Sequence, residues 1–289
     1  MNAVHFASGV GLESMRQNKS RDLLWVCQRR ALHQEVEARL SEAEGSDYVH
    51  PERVISSKLN SEYERSDVIL CNSRLTASTF VSMGYPESRL RVVHNGVDTE
   101  FFRPDDADDP ASHQRDSPCS LRMLFVGSVD RRKGFDLLLA ALDRLPESVQ
   151  LRVAGAASAS AVARVARDER VLYLGKLSPG ELRAQYRWAD VTVLPSRADA
   201  FGYVGSESLA CGTPVVASDM TGVSEVIADH RAGWVFESGR ADSLLEALEQ
   251  AIDEPEMLIA AKLGTARSNP YLGWGRFARE LISVYSDSF

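Results

Sequence analysis

Short apolar runs recur through the second half of the chain, each followed by a stretch with helical periodicity. LRMLFVG (121–127), VQLRVAG (149–155), VLYLG (171–175), VTVLP (191–195) and PVVAS (214–218) have the length and β-branched content of buried strands. Between them, residues 134–145 carry apolar positions at helical spacing and 158–167 form an alanine-rich helix. SPGELRAQYRWAD opens with Ser178 as N-cap and Pro179 in the first turn. Alternating helices and short apolar strands predict a parallel sheet covered on both faces, a doubly wound α/β domain.

The first half follows the same pattern less completely. DLLWVC (22–27), DVILC (67–71) and LRVVHNG (90–96) read as three strands, with helices near 29–44, 52–65 and 74–83. The acidic, proline-containing stretch 103–120 reads as an exposed linker, with an internal surface loop as the alternative. The expected domains are therefore 1–104 and 121–268, with 105–120 between them and 269–289 as a terminal segment. Within that region, YLGWGRFARELISVY (271–285) is an amphipathic helix with Trp274, Phe277, Leu281 and Tyr285 on one side. It is expected to pack back toward the N-terminal domain.

Composition narrows the function classes. The 289 residues are 44% hydrophobic and 26% charged, enough for two cores, and the net charge of −8 argues against a nucleic-acid partner. Cys27, Cys71, Cys119 and Cys211 show neither CxxC pairing nor metal-ligand spacing, so no metal site is expected, and a reducing, cytoplasmic setting fits them. No run reaches the ~18–20 apolar residues of a membrane helix. The N-terminus lacks the basic-then-apolar pattern of a signal peptide.

Ligands of open α/β sheets bind beyond the carboxyl ends of the strands. Loop 126–136 leaves such an end through Gly127 and Ser128 to Arg131, Arg132 and Lys133, and Gly134 precedes a helix. Cations beside a helix start make an anion site, whereas the same residues could also form a solvated turn. A second loop leaves the strand at Pro195-Ser196, passes Asp199, and enters a helix through Phe201, Gly202, Tyr203 and Val204, with Glu207 about one turn in. Two carboxylates suit the hydroxyls of a polyol; an acid placed for the helix dipole would explain either one singly. Gly212 and Pro214 stop that helix. In the first half, His33 follows a strand end beside Arg29 and Arg30, where it reads as an acid, a base or a structural ring.

VVHNGVDTEFFRP, VGSVDRRKGFDLLLAAL and LPSRADAFGYVGSESLACGTPVVASDMTGVSEVI, in this order, resemble the retaining GT-B glycosyltransferases of family four. The resemblance covers roughly residues 20–289. It implies two Rossmann-like domains facing a cleft, and transfer of a sugar from a nucleotide sugar to a hydroxyl acceptor with no metal or other cofactor. It implies that Lys133 with a nearby arginine, Arg132 or Arg131, holds the donor diphosphate and that Glu207, the second acid of the family's Glu-x7-Glu pattern, binds the ribose. Asp199 would contact the donor sugar, and Gly202, Tyr203 and Val204 would meet sugar and phosphate through the backbone. Gly127, Ser128, Ser196 and Phe201 complete the expected donor site, and His33, Lys133 and Asp199 are the catalytic candidates. Three features depart from the family. Asp199 stands where Glu is usual, Ser128 stands where many members carry arginine, and the N-terminal domain is short and incomplete. A bare sheet edge there would call for a second chain or self-association. The alternatives are a non-catalytic, partner-dependent nucleotide-sugar-binding half and an epimerase of the same fold. Peripheral contact with a membrane is compatible with lipid-linked acceptors, although residues 1–110 show no basic face.

Overall fold

The computed structural model describes residues 2–18, 23–43, 53–104 and 120–288. The expected linker core, 105–119 with Cys119, lies outside the described residues, as do positions 44–52 between the first two predicted helices. The chain divides into two compact units, Met1–Gly96 with Asp199–Phe201 and Trp274–Phe289, and Val97–Ala198 with Gly202–Gly273.

The first unit runs β1 (Asn2–Ala7), α1 (Leu12–Gln17), β2 (Leu23–Arg29), α2 (Gln34–Ala43), α3 (Arg53–Arg65), β3 (Val68–Cys71), α4 (Arg74–Ser82) and β4 (Leu90–Val92). Its strands form one parallel sheet in the order β1-β2-β3-β4. Val4 stands opposite Trp25, Val26 opposite Val68 and Ile69 opposite Leu90. Alternation sorts the side chains: Cys27, Ile69 and Cys71 pack with Leu59, Tyr63 and Phe80, while Val26, Val68 and Leu70 serve the other core.

Strand β1 corrects the three-strand expectation. NAVHFA is only half-buried, and His5 interrupts its apolar pattern, so it lacks the signature of a buried strand. The turn after β1 is held from inside. Glu62, fully buried on α3, accepts the N–H groups of Gly9, Gly11 and Leu12 at 2.5, 2.8 and 3.0 Å.

The second unit runs β5 (Leu121–Val126), α5 (Phe135–Leu142), β6 (Val149–Ala154), α6 (Ala159–Val165), β7 (Val171–Gly175), α7 (Pro179–Trp188), β8 (Val191–Leu194), α8 (Tyr203–Ala210), β9 (Val215–Ser218), α9 (Ser224–His230), β10 (Gly233–Phe236), α10 (Ala241–Asp253) and α11 (Pro255–Leu272). The five predicted strands are present, and β10 adds a sixth at the edge. Helix α7 carries the predicted N-cap as a full capping box between Ser178 and Glu181. The sheet is parallel throughout, in the order β10-β9-β8-β5-β6-β7. That is the doubly wound order whose direction reverses between β5 and β8. Leu121, Met123 and Phe125 point into the core with α5 and α10, and Leu124 points into the opposite core with Tyr186, Leu209 and Ile227.

The last helix, α12 (Trp274–Asp287), begins three residues later than expected because Tyr271 and Leu272 finish α11. It groups with the first unit, where Val284, Phe277, Leu281 and Tyr285 cover the Val26, Val68 and Leu70 face. Trp274, expected on that apolar side, is half exposed. Among the described residues no helix is long and apolar enough to cross a membrane.

Candidate donor-binding site

The strand order reverses between β5 and β8, and in open α/β sheets such a switch point is where ligands bind, beyond the carboxyl ends of the strands. The loops that leave these two strand ends carry the sequence motifs, residues 127–134 and 195–202.

Close backbone packing shapes the first loop. Gly127 N–H donates to the Ala154 carbonyl at 2.9 Å, and a Cβ on Gly155 would lie 1.9 Å from the Gly127 oxygen. Ser128 Oγ donates to Asp130, whose other oxygen accepts the Lys133 N–H at 2.8 Å. Ser128 therefore builds the turn. This placement gives it a role that needs no cation, in line with its departure from the family pattern. The Lys133 stem passes 3.7 Å from where a Gly127 Cβ would sit, so lysine and glycine meet across the loop. Arg131 and Arg132 are exposed. Gly134 starts α5 at φ +68°, and a Cβ there would stand 1.7 Å from the Pro195 oxygen. Only glycine lets the β5 loop touch the end of β8.

The second loop is fastened to the first by Arg197, which is 7% exposed. Its guanidinium grips Asp136 with bonds of 2.7 and 2.8 Å and donates to the Arg131 carbonyl, while its own N–H donates to the Arg132 carbonyl at 3.0 Å. Burial pushes the Asp136 carboxyl up, but Arg197 outweighs it and holds that group below its usual range. The Ser196 carbonyl accepts from Ser218 Oγ at 2.5 Å, which seats the loop on β9.

Helix α8 begins at Gly202, φ +81°, where a Cβ would press 2.7 Å from Thr221 Cγ2. Tyr203 is exposed at this helix start and Val204 half-buried. One turn on, Glu207 accepts the Tyr186 hydroxyl on Oε2 at 2.7 Å. Burial raises the Glu207 carboxyl above its ordinary value, and the tyrosine bond opposes that rise. The helix ends as expected: Gly212 lies at φ +83°, and its N–H bonds the Leu209 carbonyl.

The second unit thus brings together Gly127, Ser128, Arg132, Lys133, Ser196, Gly202, Tyr203, Val204 and Glu207 at one sheet end. Asp199 and Phe201 belong to the first unit. There Phe201 N–H reaches Asp199 Oδ1 at 3.4 Å, Ser73 Oγ donates to the Ala200 carbonyl at 2.6 Å, and the Phe201 ring lies 6.2 Å from that of His94. His33 also belongs to the first unit. Only 1% exposed, it sits among Tyr63, Phe80 and Tyr85 at 5.7, 5.0 and 5.8 Å, and burial pushes its pKa down to about 4. A hollow of about 410 Å³ beside Arg131 and Asp136 is lined by Val129, Phe135 and Arg164, but not by Lys133 or Glu207.

Sequence reasoning missed Arg197 and Tyr186. Nothing in the local sequence around Arg197 points to Asp136, which lies 61 positions away. Tyr186 sits at a core-facing position of α7 and carried no chemical signal.

The fold is shared with solved enzymes of the GT-B class. Sucrose-phosphate synthase from Thermosynechococcus elongatus superposes with a TM-score of 0.78 at 22% identity, covering 99% of this chain and 73% of that one. Anabaena HepE, solved with UDP, gives a TM-score of 0.79 at 16% identity, with 99% and 79% covered. The fold therefore defines a GT-B glycosyltransferase architecture. The profile for "Glycosyl transferases group 1" matches residues 115–264 and that for "Glycosyltransferase Family 4" matches 33–101, and the chain belongs to this family. A D-inositol 3-phosphate glycosyltransferase of Catenulispora acidiphila is 30% identical over 238 residues, 76% of this chain and 57% of that protein. The one from Mycolicibacterium smegmatis is 31% identical over 236 residues, 77% and 53%. The chain thus spans a little over half the length of the curated relatives it matches.

Proposed function

We propose that the chain is a retaining, metal-independent glycosyltransferase that moves a sugar from a nucleotide-diphosphate sugar to a hydroxyl acceptor. The observation that carries this reading is the pairing, at one switch point, of a cationic loop with the half-buried acid Glu207. Arg132 and Lys133 receive the diphosphate. Their fixed charge stabilises the anion that develops as the nucleoside diphosphate leaves, which is usually the largest catalytic contribution. The N–H groups at the α8 start add to it. Glu207 accepts hydrogen bonds from the ribose, and Asp199 from a hydroxyl of the transferred sugar. The incoming hydroxyl then attacks from the face the diphosphate vacates, so no protein nucleophile is required. Relatives named for D-inositol 3-phosphate and a neighbour solved with UDP support a small polyol acceptor and a uridine nucleotide as first candidates.

The test is ligand-dependent melting with UDP, GDP and ADP, followed by NMR of the product. The expected result is a rise in Tm with one diphosphate, its loss in Glu207→Ala, and a product that keeps the donor's anomeric configuration. No rise with any of the three, or an inverted product, overturns the reading.

A further inference from the structure

Glu207 is usable only if its carboxylate is held in one orientation. Among the described residues one group holds it, the Tyr186 hydroxyl at 2.7 Å on Oε2. No described residue bonds Oε1. The tyrosine is itself fixed at three points. Its ring is fully buried and meets Phe102 edge-on at 6.0 Å, its carbonyl accepts the Thr213 hydroxyl at 2.6 Å, and its backbone lies within α7. Thr213 belongs to the Gly-Thr-Pro stop of α8. The helix bearing the acid and the helix bearing the hydroxyl are therefore locked at both ends of this contact.

We propose that Tyr186 is a positioning residue for donor binding: its hydroxyl occupies Oε2 of Glu207, so that Oε1 is presented to the ribose hydroxyls of the nucleoside diphosphate. This rests on the nucleotide-sugar reading above. A purely structural tyrosine would need only its ring, since the core around Phe102, Leu209 and Cys211 is apolar. The hydroxyl has a second effect. The carboxyl is raised by burial, and the tyrosine donor is what counters that rise. Among the described residues the titratable groups about the pair are Tyr186 on α7 and Cys211 at the end of α8, and no lysine, arginine or histidine contributes to the Glu207 shift. Loss of the hydroxyl therefore moves the Glu207 titration to higher pH.

The experiment compares the wild type with Tyr186→Phe, which keeps the ring and its packing. Carboxyl-carbon NMR of isotope-labelled glutamate, with Glu207→Gln to assign the resonance, follows the titration without any ligand. The expected result is an upward shift in Tyr186→Phe, and an unmoved titration overturns the inference. UDP affinity is then measured by calorimetry, alongside the UDP analogue that lacks both ribose hydroxyls. Tyr186→Phe should weaken UDP on the order of tenfold, the worth of one hydrogen bond to a charged group. It should leave the analogue unchanged, because the effect passes through the ribose. Equal weakening of both ligands overturns the positioning role. If the wild type binds neither UDP, GDP nor ADP, the nucleotide-sugar reading fails, while the titration still judges the tyrosine–carboxylate contact.

Discussion

Replacing Asp136 by asparagine strips the counter-charge from Arg197 while keeping the shape of the contact. The pair is bidentate at 2.7 and 2.8 Å, with the arginine 7% and the acid 35% exposed. Breaking a fully buried pair by removing one partner costs about 3–5 kcal/mol. The acid's exposure screens it, and asparagine keeps one acceptor, so the expected loss is nearer ~2 kcal/mol. For a unit of this size that is a fall in Tm of about 4–8 °C. The pH dependence has a definite sign. Asp136 has a folded-state pKa below its unfolded value, so its stabilisation is present above the unfolded pKa of ~3.9 and is lost as pH falls through the folded pKa. The gap between wild type and Asp136→Asn should be full near neutrality and close in strong acid. Urea unfolding at a series of pH values measures it. A gap that stays constant into strong acid, or a neutral-pH loss well under ~1 kcal/mol, would refute the argument that the charge holds the two loops together.

Other perturbations test separate parts of the fold. Glu62→Ala leaves three N–H groups of the first loop without their acceptor and should destabilise the first unit by about 3 kcal/mol or more, read as a shift in its urea midpoint; loss of under ~1 kcal/mol would show that the turn holds without it. Gly134→Ala drives a Cβ to within 1.7 Å of the Pro195 oxygen from a positive φ, so it should lower both Tm and UDP affinity, and a neutral outcome in both assays would contradict the close approach. His33, with its pKa pushed down to about 4, is neutral in the folded state, so stability should fall as pH drops from its unfolded value of ~6.5 toward that folded value, and His33→Phe should remove this slope.

The two sheets were legible to unequal degrees, for a physical reason. Strands β8 and β9 are buried throughout and read as continuous apolar runs, β5 and β6 are mostly buried, and the edge strand β7 keeps the apolar run VLYLG although Leu172 is exposed, so their alternation with helices announces the parallel sheet. Strands β1 and β10 stand at sheet edges, where NAVHFA and GWVF mix exposed and buried positions and lose that signature. The site divided in the same way. Gly127, Lys133, Gly202 and Glu207 stood out as candidates because a glycine beside a charge at a strand end has a local meaning. Arg197 and Tyr186 could not, because each acts on a residue far away in sequence. Glu62 is the clearest instance: a buried acid on an amphipathic helix reads as solvent-facing until β1 and its turn are known to lie against it.

The clamp also bears on what Arg197 can offer a ligand. Reading the loops alone gives four positive charges near the switch point, Arg131, Arg132, Lys133 and Arg197. Arg197 spends at least three donated hydrogens on Asp136 and the Arg131 carbonyl, and its charge is matched by that carboxylate at close range. An anion approaching it would meet a neutral pair, whose field decays much faster than that of a single charge. Its contribution is therefore to bend the backbone of residues 131 and 132, through bonds to both carbonyls, into the turn that carries the remaining cations. The consequence separates two substitutions that composition would treat alike. Lys133→Met should weaken UDP strongly with Tm nearly unchanged, and its effect should shrink as salt is raised. Arg197→Met should lower Tm and UDP affinity together, with little dependence on salt, because what it removes is the shape of the loop. If the two variants show the same salt dependence, Arg197 acts as a charge toward the ligand and the clamp is not its main work.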